Sequence, residues 1–281
     1  VSGVKLSLRS KIVLSNGVEM PRFGLGTYKS AEGAEVQESV LSALEIGYRS
    51  IDTASLYGNE EGIGKALHGS GVSRSDVFLT SKVWNEEQGY EGTLAALDRS
   101  LTRLGTDYVD LYLIHWPIRR TLEPTWRAME HALISGKTRA IGVCNFLQHH
   151  LEALLAVSTV APMVDQYEYH PRLQQPSLKG FCDAHDIVVE AWAPLMRGRV
   201  NDVRTLREIA HEHGATPAQV SLRWLLQKGA IVIPKSVHAE RIRENAGALA
   251  FELSDAEMAR IDALDAGTRL GRNPDTLAWE A

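Results

Sequence analysis

Four residues carry proton chemistry at spacings that matter: Asp52, Tyr57, Lys82 and His115. Delivering a hydride to a carbonyl carbon requires a proton at the oxygen. A free tyrosine, with a pKa near ~10, is poorly matched to that task at neutral pH. An ammonium such as Lys82 stabilises the phenolate and is expected to lower the value, while Asp52 holds Lys82 in place and charged. His115 is suited to hydrogen-bond the substrate oxygen and orient it. Tyr57 then serves as general acid in reduction and general base in oxidation. The plainer reading of Asp52 and Lys82 is a structural ion pair. The presence of Tyr57 and His115 at matching places favours chemistry.

Such a set needs rigid elements to bring it together. Eight short apolar runs recur along the chain: Arg22–Gly26, Tyr48–Asp52, Val77–Lys82, Tyr108–His115, Thr138–Val143, Pro162–Gln166, Ile187–Trp192 and Ile231–Lys235. They are rich in the residues of buried parallel strands. Amphipathic stretches lie between them. Ala34–Gly47 gathers Val36, Val40, Leu41, Leu44 and Ile46 toward one face, with Gly47 as a stop. Gly92–Leu104 repeats leucine every three or four residues, and Pro217 suits the first turn of a helix running to Lys228. Eight strand–helix repeats predict a closed parallel sheet, the (β/α)8 TIM barrel of the α/β class. Lys11–Met20, with Asn16-Gly17, predicts an N-terminal β-hairpin closed by a type I′ turn. No Pro/Gly/Ser linker divides the chain, so residues 1–281 read as one domain. A barrel collects its chemistry where strands end. There the sequence places Asp52, Lys82 with Trp84, His115-Trp116, Cys144-Asn145, Gln166, Trp192 and Lys235-Ser236.

Composition narrows the class. The 281 residues are 44% hydrophobic and 23% charged, with net charge -5. That is ordinary for a globular protein and gives no basic tract for nucleic acid. Two cysteines do not make a disulfide framework. No apolar run is long enough to span a membrane, and Val1–Ser10 lacks the apolar core of a signal peptide. A monomer in a reducing cytoplasm is the expected setting.

Asp52-Thr-Ala-Ser-Leu-Tyr57-Gly-Asn-Glu60, Lys82 after an apolar strand, and Asp110-Leu-Tyr-Leu-Ile-His115-Trp-Pro117 together resemble the aldo-keto reductase family. Gly142-Val-Cys-Asn-Phe146, Gln166, Trp192–Leu195 and Ile233-Pro-Lys-Ser-Val237 continue the resemblance over nearly the whole chain. Within the family, the sequence most resembles the bacterial glyoxal or methylglyoxal reductases and 2,5-diketogluconate reductases, and Val83–Glu91 and Trp192–Met196 are especially similar to the glyoxal-reductase type. The resemblance implies an NADP-dependent oxidoreductase that reduces small aldehydes and ketones, with NADPH bound extended and NADH accepted more weakly. No G-x-G-x-x-G run is present. It implies that Gly26, Thr27 and Tyr28 border the nicotinamide and pyrophosphate, together with Asp52. Asn145 and Gln166 would hydrogen-bond the carboxamide, and Trp192 would stack on the ring. Lys235, Ser236 and Arg241 would bind the 2′-phosphate, Glu244 and Asn245 would lie near adenine, and Leu195 and Val237 would complete the cofactor contacts. Tyr28, Trp84, His115 and Trp116 would wall the substrate.

Some positions depart from the family pattern. Cys144 replaces the usual serine beside the carboxamide, Asp165 the usual asparagine, and Ala193 a serine that often meets the pyrophosphate. His238 falls where relatives place arginine, which would soften the preference for NADPH. Weaker signals point elsewhere. His211-Glu-His213 has the form of a metal pair but sits at a helix end, and no metal site is expected. Gly58–Lys65 has the wrong spacing for a P-loop. His149-His150 is expected to face solvent. Arg197, Arg199 and Arg272 are candidates to meet an acidic substrate. The short segments after Pro117 and Asp265 predict an open site. The competing functions are a non-catalytic NADPH-binding barrel protein and a metal-dependent barrel hydrolase, the latter with His115 as its only strand-end histidine.

Overall fold

A computed structural model describes residues 6–279. Val1–Lys5, part of the start read above as lacking a leader, lie outside the described residues, as do Glu280 and Ala281. The hairpin forms first, from β1 (Lys11–Val13) and β2 (Glu19–Pro21). The barrel strands follow as β3 (Leu25–Gly26), β4 (Ser50–Asp52), β5 (Phe78–Val83), β6 (Val109–Ile114), β7 (Thr138–Cys144), β8 (Val164–Glu168), β9 (Val188–Trp192) and β10 (Ile231–Val232). All neighbours are parallel, in chain order. The sheet closes where Gly24 N–H donates to Val232 O at 2.9 Å and Val232 N–H to Arg22 O at 3.1 Å. Gly26 sits on this seam. A Cβ there would lie 2.7 Å from Ile233 O, so only glycine lets the strands meet.

Helices α1 (Ala34–Ile46), α2 (Glu60–Gly69), α3 (Tyr90–Leu104), α4 (Leu122–Ile134) and α5 (Gln148–Leu155) surround the first half. Helices α6 (Pro176–Ala184), α7 (Arg204–Glu212), α8 (Pro217–Gln227), α9 (Ala239–Ala246) and α10 (Asp255–Asp262) surround the second. Gly47 ends α1 at φ 113°, as its sequence position suggests. Leu41 departs from the expected inward face and is exposed, because α1 buries the Val36–Val40–Leu44 stripe instead. Thr216 caps α8 ahead of Pro217 in a capping box with Gln219.

The hairpin turn differs from expectation. Leu14 N–H donates to Val18 O and Gly17 N–H to Leu14 O, giving a three-residue loop. Only Gly17 has positive φ, at 85°, whereas a type I′ turn needs two such residues. Asn16 is held by its side chain, whose Nδ2 donates to Arg139 O and whose Oδ1 accepts from Val18 N–H. That anchor fixes the hairpin across the N-terminal end of the barrel, with Leu14 and Met20 buried. His150 also departs from expectation. It is fully buried beneath the C-terminal tail, with Trp279 4.5 Å from its ring and Asp275 Oδ1 3.0 Å from its Nε2. His149 remains at the surface.

Candidate active site

The strand ends bring the four chemical residues together. Asp52 ends β4, Lys82 lies one residue before the end of β5, His115 follows β6, and Tyr57 closes a 3-10 turn after β4. Lys82 Nζ donates to Asp52 Oδ1 and Oδ2, both at 2.7 Å, and to Thr53 O at 2.9 Å. It lies 3.5 Å from Tyr57 Oη. Lys82 is wholly buried, and Tyr57 and His115 line a cleft of about 1540 Å3 in front of it. Burial alone would push the Lys82 ammonium down. The adjoining Asp52 charge more than reverses this and holds it above the usual lysine range.

Tyr57 does not follow the expected direction. Burial raises its pKa by more than Lys82 lowers it, so the phenol sits above its ordinary value and is protonated at neutral pH. The reason is geometric: the short bonds of Lys82 go to Asp52 and Thr53, and its approach to Tyr57 is long. His115 is pushed the other way. Burial, then the Lys82 charge, hold its imidazole well below its ordinary pKa, so it is neutral. Its Nδ1 is buried without a partner. The rings of Tyr28, Tyr57, His115 and Trp84 form a continuous row, with centroids 5.0, 5.7 and 5.1 Å apart.

The opposite wall is held by hydrogen bonds. Trp192 Nε1 donates to Asn145 Oδ1 at 2.9 Å, while Asn145 Nδ2 donates to His115 O and Cys144 Sγ. The Asn145 amide, expected to meet a carboxamide, is therefore already occupied within the protein. Its evident work is to fix Trp192. The tail closes on the same ring: a Cβ at Gly271 would collide with Trp192. Glu168 anchors the tail there by accepting from Leu270 N–H at 2.6 Å and Gly271 N–H at 3.0 Å. Gln166 is buried, and its Nε2 donates to Asp52 Oδ2 at 2.8 Å and Glu190 Oε2 at 2.7 Å. Among the described residues, four of the seven non-glycine residues with positive φ, namely Lys29, Asn145, Ala193 and Arg197, line the cleft. Backbone strain of this kind collects where a structure must aim groups at a ligand.

Of the residues expected from sequence, Gly26, Tyr28, Cys144, Asn145, Gln166 and Trp192 line the cleft, as do Trp84, Trp116, Ala193 and Leu195. So do Lys235, Ser236, Val237, His238, Arg241, Glu244 and Asn245, where β10 leads into α9. Thr27 does not. It is fully buried and its hydroxyl donates to Asp52 O at 2.8 Å, so it braces β4 instead of facing a ligand. Arg197 and Arg272 border the cleft and Arg199 does not. Asn85, which follows Trp84 at the end of β5 as the sequence suggests, lines it too, while the residues that the sequence reading missed include Lys29, Leu56 and Leu277. Leu56 had a signal, as an apolar residue beside Tyr57 in a turn. The tail residue Leu277 had none.

The donor set fits a phosphorylated nicotinamide dinucleotide. Lys235 and Arg241 are exposed cations suited to a phosphate, with His238 exposed beside them, and Gln166 Oε1 has only the weak thiol donor Cys144 Sγ, 3.6 Å away. A second cluster fits nothing of the kind. His149, His150 and Asp275 have the composition of a metal site. However, His150 Nδ1 accepts from Leu147 N–H at 2.9 Å, so the neutral ring carries its proton on Nε2 and offers no lone pair there. His213 of the other histidine pair is committed to Glu257 at 2.6 Å.

Comparison with known proteins gives one consistent picture. The sequence profile of the Aldo/keto reductase family matches residues 22–266. The chain is 54% identical to a glyoxal reductase of Bacillus subtilis, over 97% of this chain and 99% of that one. It is 44% identical to a methylglyoxal reductase of Salmonella typhimurium, over 94% and 96%. A variant of Gox0644 solved in complex with NADPH superposes with a TM-score of 0.91 at 42% identity, over 95% and 98% of the two chains.

Proposed function

The chain belongs to the aldo/keto reductase family, and from that premise we propose that it reduces small aldehydes and 2-oxo-aldehydes such as glyoxal and methylglyoxal with NADPH, Tyr57 giving the proton. The observation that carries this reading is the placement of a protonated Tyr57, 3.5 Å from buried Lys82, on the wall of the cleft beside a neutral His115. When bound, NADPH supplies the hydride to the carbonyl carbon. Lys82 would hold itself toward Asp52 and stabilise the phenolate left when Tyr57 gives up its proton. A neutral imidazole has one N–H, and an orphaned buried N–H is rarer than an orphaned acceptor. The proton of His115 is therefore assigned to Nε2, where it can donate to the carbonyl oxygen and orient it toward Tyr57. Trp192, locked by Asn145 and Gly271, would offer its face to the nicotinamide. Lys235, Ser236 and Arg241 would hold the 2′-phosphate.

The substrate assignment rests on the names of the relatives and on the open, aromatic mouth, where Tyr28 and Leu56 are half exposed. Arg197 and Arg272 extend it to acidic sugars of the diketogluconate kind. Cys144 and Cys182 are both free and buried, which supports a reducing cytoplasmic setting. The cleft is complete within one chain, and a monomer acting as one domain is the simplest working unit.

Following absorbance at 340 nm with methylglyoxal, NADPH and protein tests the reading. Turnover is expected, with NADH about tenfold less effective because Arg241 and Lys235 lose their phosphate. NADPH bound tightly with no turnover on any small carbonyl would instead support the non-catalytic barrel.

A further inference from the structure

One buried carboxyl group beneath the cleft has no part in the chemistry above. Glu190 lies mid-strand in β9, in register with Gln166 on β8, and is fully buried. Its Oε2 accepts the second N–H of Gln166 at 2.7 Å, and its Oε1 has no partner. The first N–H of Gln166 goes to Asp52 Oδ2 at 2.8 Å. The amide is thus pinned at its nitrogen by two carboxyl groups, Glu190 from the adjoining strand and Asp52 from across the barrel. Its oxygen meets only the weak thiol donor of Cys144. Turning the amide over would set the Gln166 oxygen against the anionic, lysine-paired Asp52. It would also leave two N–H groups facing a poor acceptor.

We propose that Glu190 is a positioning residue that, with Asp52, occupies both N–H groups of Gln166 and so presents Gln166 Oε1 to the cleft as an acceptor for an amide N–H of the cofactor. This rests on the assignment of the cleft to NADP(H) and of Gln166 to its carboxamide. The protonation state of Glu190 agrees with the role. Burial, then the charge of Asp52, push its pKa up to about 8 against the opposing influences of Gln166 and Lys82. At neutral pH it holds a proton, and a carboxylic acid still accepts the Gln166 N–H at Oε2. A carboxylic acid can thus serve beside Asp52 where a second full charge would compete for Lys82.

Binding of three ligands to the full chain, read by quenching of tryptophan fluorescence, tests the proposal. They are NADP+, its 3-acetylpyridine analogue, which has no amide N–H to give, and adenosine 2′,5′-bisphosphate, which reports the phosphate end alone. The wild-type protein is expected to favour NADP+ over the analogue about fivefold, the effect of one hydrogen bond. Glu190→Gln retains a carbonyl acceptor and is expected to keep the preference. Glu190→Leu is expected to lose it, while affinity for the bisphosphate stays within about twofold in every protein. Glu190→Leu keeping the full preference overturns the proposal. If that variant does not fold, Glu190→Met, more adaptable in shape, makes the same test, and a retained preference overturns the proposal equally. A wild-type protein without the preference overturns the carboxamide assignment of Gln166, and this proposal with it.

Discussion

Each end of the barrel buries an aspartate against cations, and the two are used differently. Near the start of β6, Asp110 accepts from Arg74 at 2.8 Å, Arg139 at 2.7 Å and Leu79 N–H at 2.9 Å. Arg74 is itself fastened to Val77 O and Tyr108 O, so these bonds knit strand starts to the loops before them. At the end of β4, Asp52 is equally well bonded, to Lys82 and Gln166. Around it, however, capacity is left over: a Tyr57 hydroxyl with only a long approach to Lys82, a Gln166 Oε1 met only by a thiol, and strained backbone at Asn145 and Ala193. An ion pair alone therefore does not mark a site. Unused hydrogen-bonding capacity facing a cleft does, and it lies at the C-terminal face of the barrel.

Substitutions at the two ends sharpen this contrast. Lys82→Met should lower the reductive rate by ~100-fold or more, measured at saturating NADPH. It should also lower the melting temperature, since Asp52 is left as an unpaired buried charge. Asp110→Ala should cost about 1–3 kcal/mol of stability in denaturant titration, since it strips the buried Leu79 N–H of its acceptor while Arg74 and Arg139 can turn to solvent, yet leave turnover per folded molecule within about twofold. A large fall in turnover there would erase the distinction between the ends. The smallest effect is expected at Asp165, buried on β8, where neither oxygen meets a partner in good geometry and only Phe146 N–H leans toward it. Burial raises its pKa well above the ordinary value, so the folded protein retains a proton that the unfolded chain releases. That stability is complete below about pH 4 and is lost as pH rises toward the folded pKa. Asp165→Asn should therefore gain roughly 1 kcal/mol on the wild type at neutral pH, with a smaller gain at pH 4. An equal gain at both pH values would contradict it.

The barrel and the four chemical residues were legible because each rests on short-range pattern: apolar runs alternating with amphipathic stretches, and polar residues where runs stop. Glu190 left a trace, a single carboxylate inside Val188-Val189-Glu190-Ala191-Trp192, but its partner is set by strand register. Thr27 was misplaced because the direction of a side chain at a strand exit depends on closure of the barrel. His150 was misplaced because its cover, Asp275 and Trp279, arrives from more than a hundred residues away. The direction of the Tyr57 shift was missed for a related reason. Spacing brings Lys82 near, but burial and the competing bonds to Asp52 and Thr53 decide the sign.

The central claim is that Tyr57 is the proton donor at the C-terminal face. Its most direct test is Tyr57→Phe, assayed at 340 nm with methylglyoxal and, on the same sample, for NADPH affinity and melting temperature. The account predicts a loss of ~100-fold or more in turnover, with affinity and melting temperature close to wild type. Turnover at the wild-type level would contradict it.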